Sequence, residues 1–231
     1  MFRSLLQSAF ARVERALWPP VCVFCRSSHV PDGGHLCPGC RGDLPLSPRS
    51  CRSCALPLDE AGPVCAVCLD RQTPVERVHA AFRYAFPVDA AVRAVKFAHR
   101  LEYLPVLAEG MRVLVPGACD LLVPVPLARR RHARRGFNQA VELARCLDSP
   151  LPIANNVLRT RHTPPQTGLD AAGRRQNVRG AFDVRGTLAG SYPLIVDDVM
   201  TTGATVFELA RCLKRHGAER VAVLVAARRA L

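Results

Sequence analysis

The feature that most restricts how this chain can fold is a doubled set of cysteine pairs. Cys22/Cys25, Cys37/Cys40, Cys51/Cys54 and Cys65/Cys68 are four Cys-x-x-Cys pairs. The first pair recurs 29 residues on as the third, and the second recurs 28 residues on as the fourth. This offset marks an internal repeat with two knuckles per copy. Two intervening residues let both sulfurs of a pair reach one ion from a tight turn, and two such turns close a tetrahedral set of four thiolates. Gly33, Gly34, Pro38 and Gly39 supply turn residues. Neither copy is long enough to bury a core that holds it folded, so metal binding must supply much of the folding free energy. The pattern predicts two structural zinc ions, each held within one copy, with a cross-brace between copies as the alternative pairing. Four protein ligands leave no open coordination position, which argues against catalysis at either ion. His29 and His35 lie nearby and are expected at the surface.

The chain has 231 residues, which suits one ordinary domain plus a small one. Eight of its 11 cysteines lie in the pairs, and the odd total fits metal ligands in a reducing compartment better than a disulfide framework. The longest apolar run, Val221 to Ala227, is strand-sized. Arg12, Glu14 and Arg15 interrupt any secretory signal. These features predict a cytoplasmic protein without stable membrane insertion. Phe2, Leu5, Leu6, Phe10, Val13 and Leu17 fall at helical spacing, predicting an amphipathic helix over 1–19 that packs on its own zinc domain, with membrane contact as the alternative. Charge is uneven. Residues 1–75 hold 8 Lys and Arg against 6 Asp and Glu, whereas residues 76–231 hold 24 against 13. The partner of the larger part is therefore expected to be anionic: a phosphorylated metabolite, a nucleic acid, or both.

The cysteine pairs stop before Asp70-Arg71-Gln72-Thr73-Pro74. We therefore expect a double zinc-ribbon domain over 20–72 and a second domain over 76–231, folding independently. In the second, strands are expected at 79–86, 121–126, 193–199 and 221–227. Helices are expected at 88–97, near 103–113, at 137–147 and at 203–215. This alternation predicts an α/β domain with a mainly parallel sheet flanked by helices, whose ligand site lies beyond the carboxyl ends of the strands.

The most informative string is Leu194-Ile195-Val196-Asp197-Asp198-Val199-Met200-Thr201-Thr202-Gly203-Ala204-Thr205. Its apolar start is a buried strand, two acids follow at the strand end, and hydroxyl residues and a glycine open a helix. Gly203 frees the backbone so that successive N–H groups can turn toward one anion, and the helix start adds its positive dipole. Thr201, Thr202 and Thr205 add hydroxyl donors. Residues 199–205 thus suit a phosphomonoester. Asp197 and Asp198 would repel phosphate but can accept hydrogen bonds from vicinal ribose hydroxyls and help hold magnesium. A ribose diol at one end of a loop and a 5′-phosphate at the other describe phosphoribosyl diphosphate (PRPP).

The string resembles the PRPP-binding motif of type I phosphoribosyltransferases. The wider pattern resembles the ComF family of competence-associated, phosphoribosyltransferase-like proteins. The residues that carry it are the zinc knuckles, then Val123-Pro124-Val125-Pro126-Leu127, Arg135-Gly136-Phe137-Asn138-Gln139, Pro165-Gln166, Arg175-Gln176-Asn177-Val178 and the PRPP loop. The resemblance implies a type I phosphoribosyltransferase fold. It implies a pyrophosphate-binding loop after the second strand, in which Arg135, placed at a helix start, is the expected contact. It also implies a mobile loop within 159–180 that closes over PRPP. The implied reaction is displacement of magnesium-pyrophosphate at ribose C1 by an unidentified acceptor. Any acceptor-recognising hood is expected from residues 76–115 or from the zinc domain, the alternative being that there is none. Lys96 and Tyr103 fall in that stretch and are expected on helix surfaces. A link to single-stranded DNA uptake and its machinery is also implied. The alternative is a non-catalytic protein handling single-stranded nucleic acid, with a regulatory or vestigial PRPP site.

Overall fold

The computed structural model describes residues 20–230 except 32, 48, 59–61 and 162–170. The helix expected over 1–19 lies outside the described residues. So do most of the segment before α7 in the expected closing loop and the side chains of Arg174 and Arg175. The chain divides into two compact units between Leu44 and Pro45. That division falls inside the stretch which the cysteine repeat marks as one double ribbon.

In the first unit, Cys22 starts a tight turn that closes with Arg26 N–H donating to the Cys22 carbonyl at 2.9 Å. A short helix, α1 (Pro38–Gly42), carries Cys40, with Pro38 in its first turn and Cys37 as its N-cap. The second copy repeats this backbone bond for bond. Cys22 N–H to Ser27 O is matched by Cys51 N–H to Leu56 O, Arg26 N–H to Cys22 O by Ala55 N–H to Cys51 O, and Val23 N–H to His35 O by Arg52 N–H to Pro63 O. Both turns end on a left-handed non-glycine residue, Arg26 (φ 65°) or Ala55 (φ 54°). Helix α2 (Ala66–Leu69) closes the second copy.

The second unit is an α/β fold. Strand β1 (Arg77–Arg83) leads through α3 (Val88–Ala98) and a turn of 3-10 helix at Leu101–Tyr103 into α4 (Leu104–Arg112). Then follow β2 (Leu121–Pro124), α5 (Arg129–Arg135), α6 (Gln139–Cys146), β3 (Val157–Arg159), α7 (Ala171–Val178), β4 (Phe182–Val184), β5 (Pro193–Met200), α8 (Ala204–Arg215) and β6 (Ala222–Arg228). The sheet order is β1-β6-β5-β2 and every pair is parallel. All four carboxyl ends therefore emerge at one edge, where ligands bind in such sheets. β6 is buried along its whole length, and its alanines, valines and leucine fill the sheet centre without polar interruption.

Helices α4 and α6 pack together over the sheet, α4 against β1 and β6 and α6 against β5 and β2. Gly110 lets α4 approach closely, since a Cβ there would lie 2.3 Å from Phe82 Cζ. Val78, Ala80, Ile195, Val223 and Val225 form one continuous core with Val206, Leu209 and Leu213 of α8. Cys51, Cys54, Ala55 and Cys68 belong to that same core. The second ribbon is thus built into the α/β unit, and Val78 N–H of β1 donates to the Arg52 carbonyl at 2.7 Å. β3 and β4 form a separate antiparallel ribbon at the two roots of segment 160–181.

The expected α/β elements are present within a few residues. Among the described residues of this unit, four were not anticipated: α5, formed by the basic run after β2, α7 within the segment expected as a closing loop, and the two three-residue strands of the β3–β4 ribbon.

Candidate functional site

The cysteine sulfurs fall into two groups, Cys22/Cys25/Cys37/Cys40 and Cys51/Cys54/Cys65/Cys68, each with all four sulfurs within 4.8 Å of one another. Cys25 and Cys37 sulfurs are 3.6 Å apart and those of Cys54 and Cys65 3.7 Å. A tetrahedron with Zn–S bonds of ~2.3 Å has edges of ~3.8 Å, whereas a disulfide needs ~2.05 Å. The donor sets therefore fit one zinc each, paired within each copy and not cross-braced. His29 and His35 are exposed, as expected. Cys119 and Cys212 are buried core residues, and Cys146 is half-buried.

At the carboxyl edge of the sheet a cavity of about 710 Å³ opens above β2 and β5. One wall is the acidic pair at the end of β5. Asp197 Oδ1 accepts from Asp198 N–H at 2.9 Å, and Asp198 Oδ1 accepts from Val199 N–H at 2.8 Å. Burial, followed by the adjacent Asp198, pushes the Asp197 carboxyl up to about 8, while Lys96 opposes the shift. Val199, Thr201 and Thr205 continue this wall into α8. Gly203 adopts φ +78°, and a Cβ there would meet Met200 Cε and Phe207 Cε2 at 2.6 Å each. Only glycine fits this turn, which opens α8. Thr202 does different work from its neighbours. Its hydroxyl accepts from Ala204 N–H at 3.4 Å, and both residues line a second cavity of about 460 Å³ with Glu208 and Arg211.

The other walls are cationic. After β2, Arg131, Arg134, Arg135 and Gln139 line the cavity, joined by Arg159 of β3 and by Arg229 after β6. Arg135 does not start a helix as expected: it ends α5, where Gly136 turns left-handed (φ 79°) and Asn138 caps α6. Its side chain donates to Gln139 Oε1 and lies 5.9 Å from the Phe97 ring centroid. Asn138 is structural, donating from Nδ2 to the Val125 carbonyl while Oδ1 accepts from Ala140 N–H, both at 3.0 Å. These bonds tie the start of α6 to the end of β2.

The fourth wall comes from Tyr84 and from Arg93, Lys96 and Phe97 of α3. Lys96 is not a surface residue: its Nζ lies 2.6 Å from Asp198 Oδ2, with the side chains 23% and 7% exposed. The sequence did hold signals for this wall. Lys96 is one of two lysines, beside thirty arginines. Residues 93, 96 and 97 also share a helical face. Phe97 is 71% exposed at the cavity rim. Tyr103, by contrast, stacks under Arg100 away from the cavity.

A phosphoribosyltransferase-fold domain joined to a double zinc ribbon is the class these features define. Residues 13–69 match the double zinc ribbon domain family and residues 133–230 the phosphoribosyl transferase domain family. The chain is 34% identical over 216 residues to DNA utilization protein YhgH of Escherichia coli K12, covering 89% of this chain and 95% of that one. It is 32% identical over 221 residues to Competence protein F of Haemophilus influenzae (87% and 94% covered). To Competence protein ComFC of Bacillus subtilis it is 28% identical over 207 residues (85% and 79% covered). The chain belongs to the ComF family.

Proposed function

We propose that the protein binds PRPP with magnesium in the cavity above β2 and β5, and transfers the phosphoribosyl group to an acceptor with release of pyrophosphate. The observation that carries this is the union of the Asp197–Asp198 pair and the Gly203-opened start of α8 on one wall of a cavity whose other walls are cationic. Asp197 and Asp198 accept hydrogen bonds from the two ribose hydroxyls. The hydroxyls of Thr201 and Thr205, with backbone N–H groups at the start of α8, take the 5′-phosphate. Arg135, ending α5 at the cavity, takes the pyrophosphate.

The bond from ribose C1 to pyrophosphate oxygen breaks, its electron pair leaves on pyrophosphate, and the acceptor's nucleophilic atom forms the new bond to C1. The protein's part is positioning and charge stabilisation more than proton transfer. The acidic pair would supply oxygen ligands to magnesium, whose charge would favour loss of the Asp197 proton and offset that of pyrophosphate. The acceptor meets Tyr84, Arg93 and Phe97, so α3 serves as the hood.

The relatives' names, DNA utilization protein and Competence protein, support linking this work to DNA use and competence, and we set it on single-stranded DNA in the cytoplasm. No helix among the described residues is long and apolar enough to cross a membrane. One observation favours the non-catalytic alternative. Helix α5 carries five arginines and a histidine in seven residues, several of them exposed, at the cavity mouth. Such a surface suits a polyanion backbone.

Pyrophosphate release from PRPP and magnesium, assayed with single-stranded oligonucleotides and with small nucleophiles, separates the two readings. Release abolished by Asp197→Asn supports transfer. Salt-sensitive oligonucleotide binding that survives Asp197→Asn, with no release under any condition, supports the alternative.

A further inference from the structure

Arg228, the last residue of β6, is an arginine only 2% exposed. Its Nε donates to the Cys54 carbonyl at 2.6 Å, inside the second four-cysteine site. Its Nη1 donates to the Met200 carbonyl at 3.1 Å, and also to the carbonyls of Thr201 and Arg229. One buried guanidinium therefore joins a metal-binding turn to the first residues of the phosphate loop. Burying a cation is costly unless charge and hydrogen bonds compensate. The carbonyls supply the bonds. Four thiolates around one Zn²⁺ carry a net charge of about −2, placed where the guanidinium needs it.

An apolar route runs beside the polar one. Met200 shares a buried core with Cys51, Cys54, Ala55 and Cys68. The Met200 Cε lies 2.6 Å from where a Gly203 Cβ would sit, so the same side chain forms the floor beneath the left-handed turn of the loop. The turn that presents Cys54 is itself closed by Ala55 N–H donating to Cys51 O at 2.7 Å, with Ala55 at a positive φ. An ion drawing the four sulfurs together would add to these backbone bonds and core contacts in fixing that turn.

We propose that the second four-cysteine site positions the phosphate loop through Arg228, so that metal at this site, and not at the first, governs the order of residues 200–205. Arg228 is a positioning residue, not a catalytic one. The loop-ordering claim stands on the geometry alone; its consequence for PRPP affinity rests on the function proposed above. The second ribbon is then a working part of the ligand site and not only a stabilising appendage.

The test is hydrogen exchange by mass spectrometry on the full-length, zinc-loaded chain, with metal content measured in parallel. In Arg228→Met, amides at 200–205 should exchange roughly tenfold faster or more, the equivalent of one lost charge-assisted hydrogen bond. Arg228→Lys, which keeps the cation and some donors, should recover part of the protection. Amides of β2 and α6 should be unchanged in both variants, and both should retain two zinc ions. Cys51→Ser should loosen 200–205 as Arg228→Met does. Cys22→Ser should not, because none of Arg228's described partners lies in the first site.

Unchanged exchange at 200–205 in Arg228→Met overturns the proposal. So does equal loosening of β2 and α6, or equal loosening in Cys22→Ser. Should Arg228→Met not fold, Arg228→Lys and Cys51→Ser carry the same comparison. A parallel PRPP titration keeps the two claims apart. Absent PRPP binding in wild type with a loop that still responds to Arg228 refutes the proposed ligand and leaves the coupling standing.

Discussion

Replacing Asp197 with asparagine probes the protonation state that the fold imposes on the acidic pair. Burial and Asp198 push the Asp197 carboxyl from its ordinary value near 3.8 up to about 8. The folded chain therefore holds this proton more tightly than the unfolded chain does. The group's contribution to stability is fully present below about pH 4 and is lost as pH rises to about 8. Each pH unit over which only the folded chain keeps the proton costs about 1.4 kcal/mol, so the interval from pH 5.5 to 8 sets an upper bound of about 3.4 kcal/mol. Lys96 and the sharing of charge between the two acids spread the titration, and about 2–3 kcal/mol is the expected change. Asparagine keeps an oxygen to accept from Asp198 N–H, at 2.9 Å in the parent, but has no proton to lose. The assay is thermal or urea unfolding of the zinc-loaded proteins from pH 5.5 to 9, reported as variant minus wild type so that the pH dependence of zinc binding cancels. The difference should move toward the variant by about 2–3 kcal/mol, or roughly 4–10 °C in Tm for a chain of this size. Parallel curves across that range refute the assignment.

Lys96→Met should destabilise the protein by about 1–3 kcal/mol at pH 7, and a double-mutant cycle with Asp198→Asn should show coupling above about 1 kcal/mol, measured by urea unfolding. Gly203→Ala should cost about 2 kcal/mol or more from the positive φ and the approach to Met200 and Phe207, and should weaken phosphate-ester binding in titration calorimetry. Metal analysis should find two zinc ions per chain, falling to one in Cys51→Ser.

Much of this architecture was legible because its chemistry is contiguous in sequence. The acidic pair, the hydroxyls and Gly203 follow one another over nine residues, and the fold keeps them on one strand end and one helix start. The cysteine repeat was legible for a similar reason, since its offset is preserved down to individual backbone hydrogen bonds. Contacts across long separations were not legible. Lys96 meets Asp198 only because parallel β1 and β5 bring their carboxyl ends to the same edge, and a lone lysine on a helix reads as solvated until then. Arg228 ends an apolar strand as though leaving the core, yet it is buried against Cys54. The basic run 129–135 was expected as a pyrophosphate-binding loop with Arg135 at a helix start, but its backbone is helical and places Arg135 at a helix end. β3 and β4, with three residues each, are too short to show a period of two.

The central claim is tested most directly by calorimetric titration of the zinc-loaded protein with PRPP and magnesium, run beside the double variant Asp197→Asn with Asp198→Asn. The account predicts saturable binding at one site per chain, dependent on magnesium and lost in the double variant. No binding by the folded, zinc-loaded wild type, or equal binding by the double variant, contradicts it.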